Sequence, residues 1–241
     1  MKTKKNKKAI GLAALLLCLL CMGCNKQNGI MFEGDISGAE GKFLTVSLMT
    51  PDGETASDSV QIKNGYFQLT FPMNDENPHF FRISLRNDNA FTTLATKGEK
   101  LSLVADAASL VRNYSISGGT DAELMQKLDR QLSLFVDSTE ILMEWYNLNT
   151  NDDTLREQIE RAYNQITANH TTFLRQFIQE NPQSLSSLAA FYQRYNQCIF
   201  LPEEENLDLL KMLYDSLQKQ YPDSEDVMWV GERLKEKAQQ D

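Results

Sequence analysis

The polar and apolar positions along the chain change their period near residue 119. From residue 30 to residue 117, short runs of β-branched and aromatic residues alternate with turn residues at intervals of about 8 to 12 positions, the spacing of an all-β sandwich or barrel. This pattern predicts eight strands, at residues 30–37, 42–49, 56–62, 65–71, 79–86, 90–96, 100–105 and 112–117.

Two local patterns refine the β segment. Asn64-Gly65 lies between two alternating runs and predicts a hairpin with a type I′ turn, which needs a positive φ at both central residues. Phe80, Ile83 and Leu85 do not alternate cleanly, so we expect a bulge or a strand with two buried faces at that point.

Beyond Gly119 the apolar residues recur every three or four positions, which is the period of a helix. Thr120-x-x-Glu123 predicts a capping box at the start of the first helix. Breaks are expected at the polar residues 149–153 and at each later proline, with a third helix through residues 185–195 and a fourth opened by Pro202. The predicted fold class is therefore α+β in two segments: an antiparallel β-sandwich, residues 30–119, followed by an all-α bundle of about five helices, residues 120–241.

The first residues have the features of an export signal. Residues 1–8 contain five lysines, residues 9–22 are apolar, and Gly23 is followed by Cys24. The apolar run is shorter than the roughly 20 residues that a helix needs to cross a bilayer. The segment resembles a bacterial lipoprotein signal peptide, residues 1–23, which implies cleavage before Cys24 and lipidation of that cysteine. Residues 24–29 would then form a tether, and the acyl chains would attach the protein to a membrane.

The charge is distributed unevenly along the chain. The formal net charge is −9 for all 241 residues, but removal of residues 1–23 leaves −14, of which −11 belongs to residues 120–241. A basic surface is the signature of nucleic-acid binding, so this class of partner is excluded. The acidic helices present either an ordinary solvated surface or a face for a basic protein partner.

Few residues offer chemistry. With Cys24 lipidated, Cys198 is the one remaining cysteine, and it is either a buried, unreactive thiol or a site for a mixed disulfide with another protein. His79 is expected at the head of a strand and His170 on a partly buried helix face. No Cys/His spacing suits zinc, and the acidic runs 152–153 and 203–205 are better explained as helix starts than as metal ligands. We predict no metal, no cofactor and no enzymatic activity of the chain's own.

Exposed aromatic side chains on the sandwich would make a ligand surface. The candidates are Tyr66, Phe80, Phe81 and Phe91, although core packing is the commoner role for each.

Short motifs relate the chain to a known family. They are Phe32-Glu-Gly-Asp-Ile36, Asp58-Ser-Val60, Asn64-Gly-Tyr-Phe67 and Tyr114-Ser-Ile-Ser-Gly118, with Phe177-Ile-Gln-Glu-Asn-Pro182 in the helical half. The chain resembles lipoproteins with the amino-terminal domain of unknown function number 4369, a β-sandwich and helical linker that precede a thioredoxin-like thiol–disulfide oxidoreductase domain. The chain ends where that domain would begin and has no Trp-Cys-x-x-Cys. The family's oxidoreductase activity is therefore not expected here.

The leading hypothesis is a non-enzymatic envelope lipoprotein that acts as an interaction module for an unidentified protein. The alternatives are a module that binds a glycan or peptide, and a redox accessory in which Cys198 exchanges with a separate thioredoxin-fold protein. Asn25, rather than Asp, follows the anchor, which predicts the outer membrane by general lipoprotein sorting rules. The tether lacks an acidic cluster, so we expect the protein to face the periplasm.

Overall fold

Eight strands form the first half of the chain, as the apolar pattern predicts. A computed structural model describes residues 29–86, 89–149 and 152–239. Each strand lies within three residues of its predicted bounds: β1 (Ile30–Ser37), β2 (Phe43–Thr50), β3 (Gly53–Gln61), β4 (Tyr66–Phe71), β5 (His79–Arg86), β6 (Asn89–Ala95), β7 (Lys100–Asp106) and β8 (Tyr114–Ser117).

The strands form two four-stranded sheets. Sheet A has the order β4-β1-β7-β8 and sheet B the order β3-β2-β5-β6. All pairs are antiparallel except β1 and β7, which run parallel. The chain crosses to sheet B for β2 and β3 and returns to sheet A as β4, antiparallel to β1. It crosses again for β5 and β6 and returns as β7, parallel to β1.

The first hydrophobic core lies between the two sheets. Alternate residues of β1, β4 and β7 are buried, and Phe32, Phe67 and Phe81 are among its largest fully buried side chains. The ring of Phe81 makes edge contacts with Phe32 at 5.4 Å and with Phe71 at 5.2 Å between ring centroids. This period-two burial defines the sandwich.

Both local predictions in the β segment are confirmed. Asn64 and Gly65 have φ values of 54° and 75°, as a type I′ turn requires. The register between β5 and β6 shifts between Ser84 and Arg86. Strand β5 also has two apolar faces, because Phe81 packs inside the sandwich and Phe80 packs against the helical half.

Five helices follow within the described residues. They are α1 (Thr120–Leu148), α2 (Asp153–Glu180), α3 (Ser186–Phe191), α4 (Leu207–Gln220) and α5 (Glu225–Ala238). The first two form a long antiparallel hairpin, and α3, α4 and α5 pack beside its base. The two-segment α+β fold is therefore as predicted.

One helix end and two helix starts differ from the prediction. Helix α3 stops at Phe191, and the chain then forms a two-residue hairpin of β9 (Arg194–Tyr195) and β10 (Cys198–Ile199), whose turn places Asn196 at φ 53°. Asparagine tolerates this left-handed conformation, so the turn competes with a longer helix.

The other two differences concern helix starts. Gly119, not Thr120, is the N-cap of α1, and because glycine has no side chain it makes no side-chain cap. A Cβ atom at this position would crowd the side chains of Leu101 and Glu99. A 3₁₀ turn at Glu203–Glu205 follows Pro202, and α4 begins only at Leu207.

The helical half packs against the open side of the sandwich. Helix α1 covers the edge strands β6 and β8, and Leu94 on the outer face of sheet B belongs to the second core with Met125 and Leu128. A helix laid over sheet edges shields them from pairing with other chains. The two halves therefore share sheet B.

Candidate functional site

The distal half of the α1–α2 hairpin projects beyond the second core. Thr139 is the last buried residue of α1, and in α2 only Ile159 is buried before His170. The final nine residues of α1 contain no buried side chain. The exposed side chains of this part of α1 are accordingly open to a partner.

Four large apolar side chains lie along the outer face of α1. Leu134, Ile141, Trp145 and Leu148 are 59%, 53%, 54% and 73% exposed, respectively. Their spacing of seven, four and three positions places them on one face of a helix that advances about 100° per residue. We call these four residues the apolar stripe. Large apolar side chains exposed along one helix face are typical of interaction sites in soluble proteins.

Acidic side chains border the apolar stripe. Asp137, Glu140 and Glu144 follow one edge of it, and all three are exposed. Arg112 forms surface ion pairs with Asp137 at 2.9 Å and with Glu140 at 3.4 Å between nitrogen and oxygen. Residues 134–166 contain seven carboxylates and two arginines, so the tip has a negative field.

The four residues of the apolar stripe are not among the candidates that the sequence pattern offers. Leu128, Phe135 and Leu142 form a different apolar face of α1, the first two of them buried and the third half-buried. The apolar stripe also follows helical spacing and lies on a second face of the same helix. A second apolar face on the same helix was therefore the sequence signal that could have indicated the stripe.

Cys198 lies in β10, beside the hairpin that α1 and α2 form. Its thiol is half-buried and, together with Tyr163, lines a cleft of about 360 Å³. Burial raises the pKa of the Cys198 thiol above its ordinary value. A raised pKa lowers the fraction of reactive thiolate.

His170 is more deeply buried than predicted, at 2% exposure. Its ring packs against Phe135 and Phe200, and its Nε2 lies 2.7 Å from the side-chain oxygen of Gln193. Burial lowers the pKa of His170, which favours the neutral ring. This histidine is part of the second core.

The remaining polar candidates have structural partners. His79 binds Asp75 at 2.7 Å, Asp152 caps α2 by accepting from the Leu155 amide at 2.9 Å, and Glu203 pairs with Arg233. Among the residues that the structure describes, no group of three or more His, Cys, Asp or Glu side chains is placed to hold a metal ion. Cys24 and residues 1–23 lie outside the described residues.

The four aromatic candidates of the sandwich separate into different roles. Phe81 and Phe91 are core residues, and Tyr66 lies on the outer face of sheet A, where its hydroxyl donates to Glu33 at 3.2 Å. Phe80 lines a cleft of about 350 Å³ between sheet B and the helical half, together with Trp229. Of the four candidates, Phe80 is thus placed at a cavity.

No helix in the described part of the chain has the length and apolar character needed to cross a membrane. No protein-family model matches the chain, and no curated protein matches it.

Proposed function

We propose that the chain is a non-enzymatic lipoprotein of the cell envelope that binds a protein partner through the apolar stripe. The observation on which the proposal rests is the projecting α1, whose four stripe residues are each more than half exposed. Burial of a Trp or Leu side chain at an interface removes apolar surface from water, and aromatic side chains are frequent hot spots.

The charges around the stripe indicate the chemistry of the partner. Carboxylates border the stripe, and the tip has an excess of five negative charges over residues 134–166. A complementary partner presents an apolar patch edged by Lys or Arg, since opposite potentials steer association and fix orientation. An anionic lipid surface is disfavoured by the same field.

The amino-terminal segment supports the envelope location. Residues 1–24 have the order of a lipoprotein signal, and the motifs of the β segment resemble those of lipoproteins with the amino-terminal domain of unknown function 4369. Acylation at Cys24 would hold the acidic hairpin near the outer membrane, on its periplasmic side in our proposal.

Mass spectrometry of the mature protein tests the anchor. We expect the first residue to be Cys24 bearing acyl chains, and we expect Cys24→Ala to leave residues 1–23 attached. A mature protein that retains residues 1–23, or that begins elsewhere without acylation, contradicts this part of the proposal.

Site-specific photo-crosslinking in intact cells tests the interaction surface. A photoreactive amino acid replaces Trp145 in one variant and Val104 in the control; the two side chains are similarly exposed, at 54% and 56%, but Val104 lies on sheet A. We expect a discrete protein adduct from position 145 that is absent from position 104 and is weakened by Ile141→Ser. Identical adducts at both positions, adducts with lipid alone, or adducts only with a second copy of the chain would overturn the proposal.

A further inference from the structure

We propose that the cleft between sheet B and the helical half binds an organic ammonium group, with the rings of Phe80, Tyr192 and Trp229 as its walls and Asp226 as its counter-charge. We call this cavity the junction cleft. It lies apart from the apolar stripe and is independent of the partner proposed for that surface.

The junction cleft is formed by both halves of the molecule. Its volume of about 350 Å³ lies within the range of small-molecule sites. Sheet B supplies one wall and helices α3 and α5 supply the other, and the lining residues that matter most are Met49, Phe80, Thr92, Tyr192, Asp226 and Trp229.

The aromatic wall is held in place by a network behind it. Tyr192 and Trp229 contact edge to face, with ring centroids 5.4 Å apart. The guanidinium of Arg233 lies 5.3 Å from the Trp229 ring and donates two hydrogen bonds to Glu203, at 2.8 and 2.7 Å. The Tyr192 hydroxyl donates to Glu203 at 3.1 Å. A wall fixed in this way loses little side-chain freedom when a ligand binds.

Asp226 supplies a negative charge that the protein does not neutralise by an ion pair. It lies in the first turn of α5, and no Lys or Arg within the described ranges forms a salt bridge with it. His79 is the basic side chain that acts electrostatically on Asp226, and its ring is bound to Asp75. Burial raises the pKa of Asp226 to about 6, which is the expected response of a carboxyl group short of a counter-charge.

The lining favours a cation over a neutral sugar. Ammonium groups are attracted to the faces of aromatic rings, and a nearby carboxylate adds a direct charge interaction. A sugar needs several hydrogen-bonding groups, whereas the polar lining consists chiefly of two threonines and Asp226, since the Tyr192 hydroxyl is already used.

A titration with choline, followed by NMR at the indole N–H groups, tests the proposal. The chain has two tryptophans, so Trp145 is an internal control on a distant helix. We expect a saturable shift of the Trp229 resonance with no shift of Trp145. The neutral isostere 3,3-dimethyl-1-butanol should bind about tenfold more weakly or worse, a difference of roughly 1.4 kcal/mol.

Two variants separate charge from packing. Asp226→Asn should weaken choline binding by about tenfold, while the same change at its exposed neighbour, Asp223→Asn, should leave choline binding unchanged.

A second experiment compares choline with a short lysine peptide. Tighter binding of the peptide identifies a protein side chain as the source of the ammonium group, and tighter binding of choline identifies a free molecule. Equal binding of choline and its neutral isostere, no saturation with either cation, or an unchanged affinity in Asp226→Asn would overturn the proposal.

Discussion

At the scale of single residues, Gly34 sets how closely β1 and β7 approach. It pairs with Leu103 in the parallel register and has a φ of 152°. A Cβ atom built on Gly34 would lie 1.7 Å from the backbone oxygen of Leu103. Only glycine avoids this overlap, so the residue is a requirement of the central strand pair.

Gly34→Ala is expected to lower the free energy of unfolding by about 3 kcal/mol or more, because the strands must separate to admit the new methyl group. Gly41→Ala is the matched control: its φ of 74° is also positive, but a Cβ there meets nothing within 4 Å. The control should cost about 1 kcal/mol. Urea denaturation measures both, and equal losses would contradict the packing explanation.

Asp129 makes the stability depend on pH. Its carboxylate accepts a hydrogen bond from the Tyr114 hydroxyl at 2.6 Å, and burial raises its pKa to about 6 from an ordinary 3.8. The folded protein therefore holds this proton more tightly than the unfolded chain does. The contribution of Asp129 to the free energy of unfolding accordingly falls as the pH rises from about 4 to about 6.

In Asp129→Asn this contribution is removed. We expect the fall in the free energy of unfolding between pH 4 and pH 7 to be smaller in the variant than in the unmodified protein, as measured by denaturant titrations across that range. Curves that stay parallel would show that Asp129 has no raised pKa in the folded state.

Cys198 should react slowly with alkylating agents in the folded protein. The thiol is half-buried and its pKa is raised, so thiolate is scarce near neutral pH. Mass spectrometry after iodoacetamide treatment should show modification in denaturant and little without it. Rapid alkylation of the folded protein would instead favour the redox-accessory alternative.

At the scale of elements, the predictions from sequence succeeded where a repeating pattern determines the structure. Alternation in β1 and β4 defined those strands to within one residue, and Asn64-Gly65 specified its turn. They failed where local patterns competed with tertiary contacts. The apolar residues through Tyr195 continue a helical spacing, yet the chain turns at Asn196 because the hairpin places Tyr195 against Phe135.

The two apolar faces of α1 should respond differently to truncation. Phe135 is buried against Phe200 and His170, with ring centroids 4.9 and 5.1 Å away, so Phe135→Ala should cost about 3 to 5 kcal/mol. Trp145 is 54% exposed, so Trp145→Ala should change the stability by less than about 0.5 kcal/mol. Thermal denaturation compares them, and a large loss from Trp145→Ala would mean that the stripe serves the fold.

At the scale of the whole molecule, sheet B belongs to two cores. Its inner face packs in the sandwich through Phe81, and its outer face packs on the helices through Leu94. This shared sheet creates the junction cleft, whose walls include Phe80 and Trp229, 149 positions apart in the chain. No periodicity links residues so distant in sequence, which is why the cleft could not be predicted, whereas the two segments could.

The affinity of the partner recovered by crosslinking at position 145 measures the contribution of the apolar stripe. We expect Trp145→Ser to weaken binding by about tenfold or more, roughly 1.4 kcal/mol, with further weakening in high salt. Val104→Ser, an exposed residue of sheet A, should bind as the unmodified protein does. Equal affinities for Trp145→Ser and Val104→Ser would contradict the proposed role of the apolar stripe.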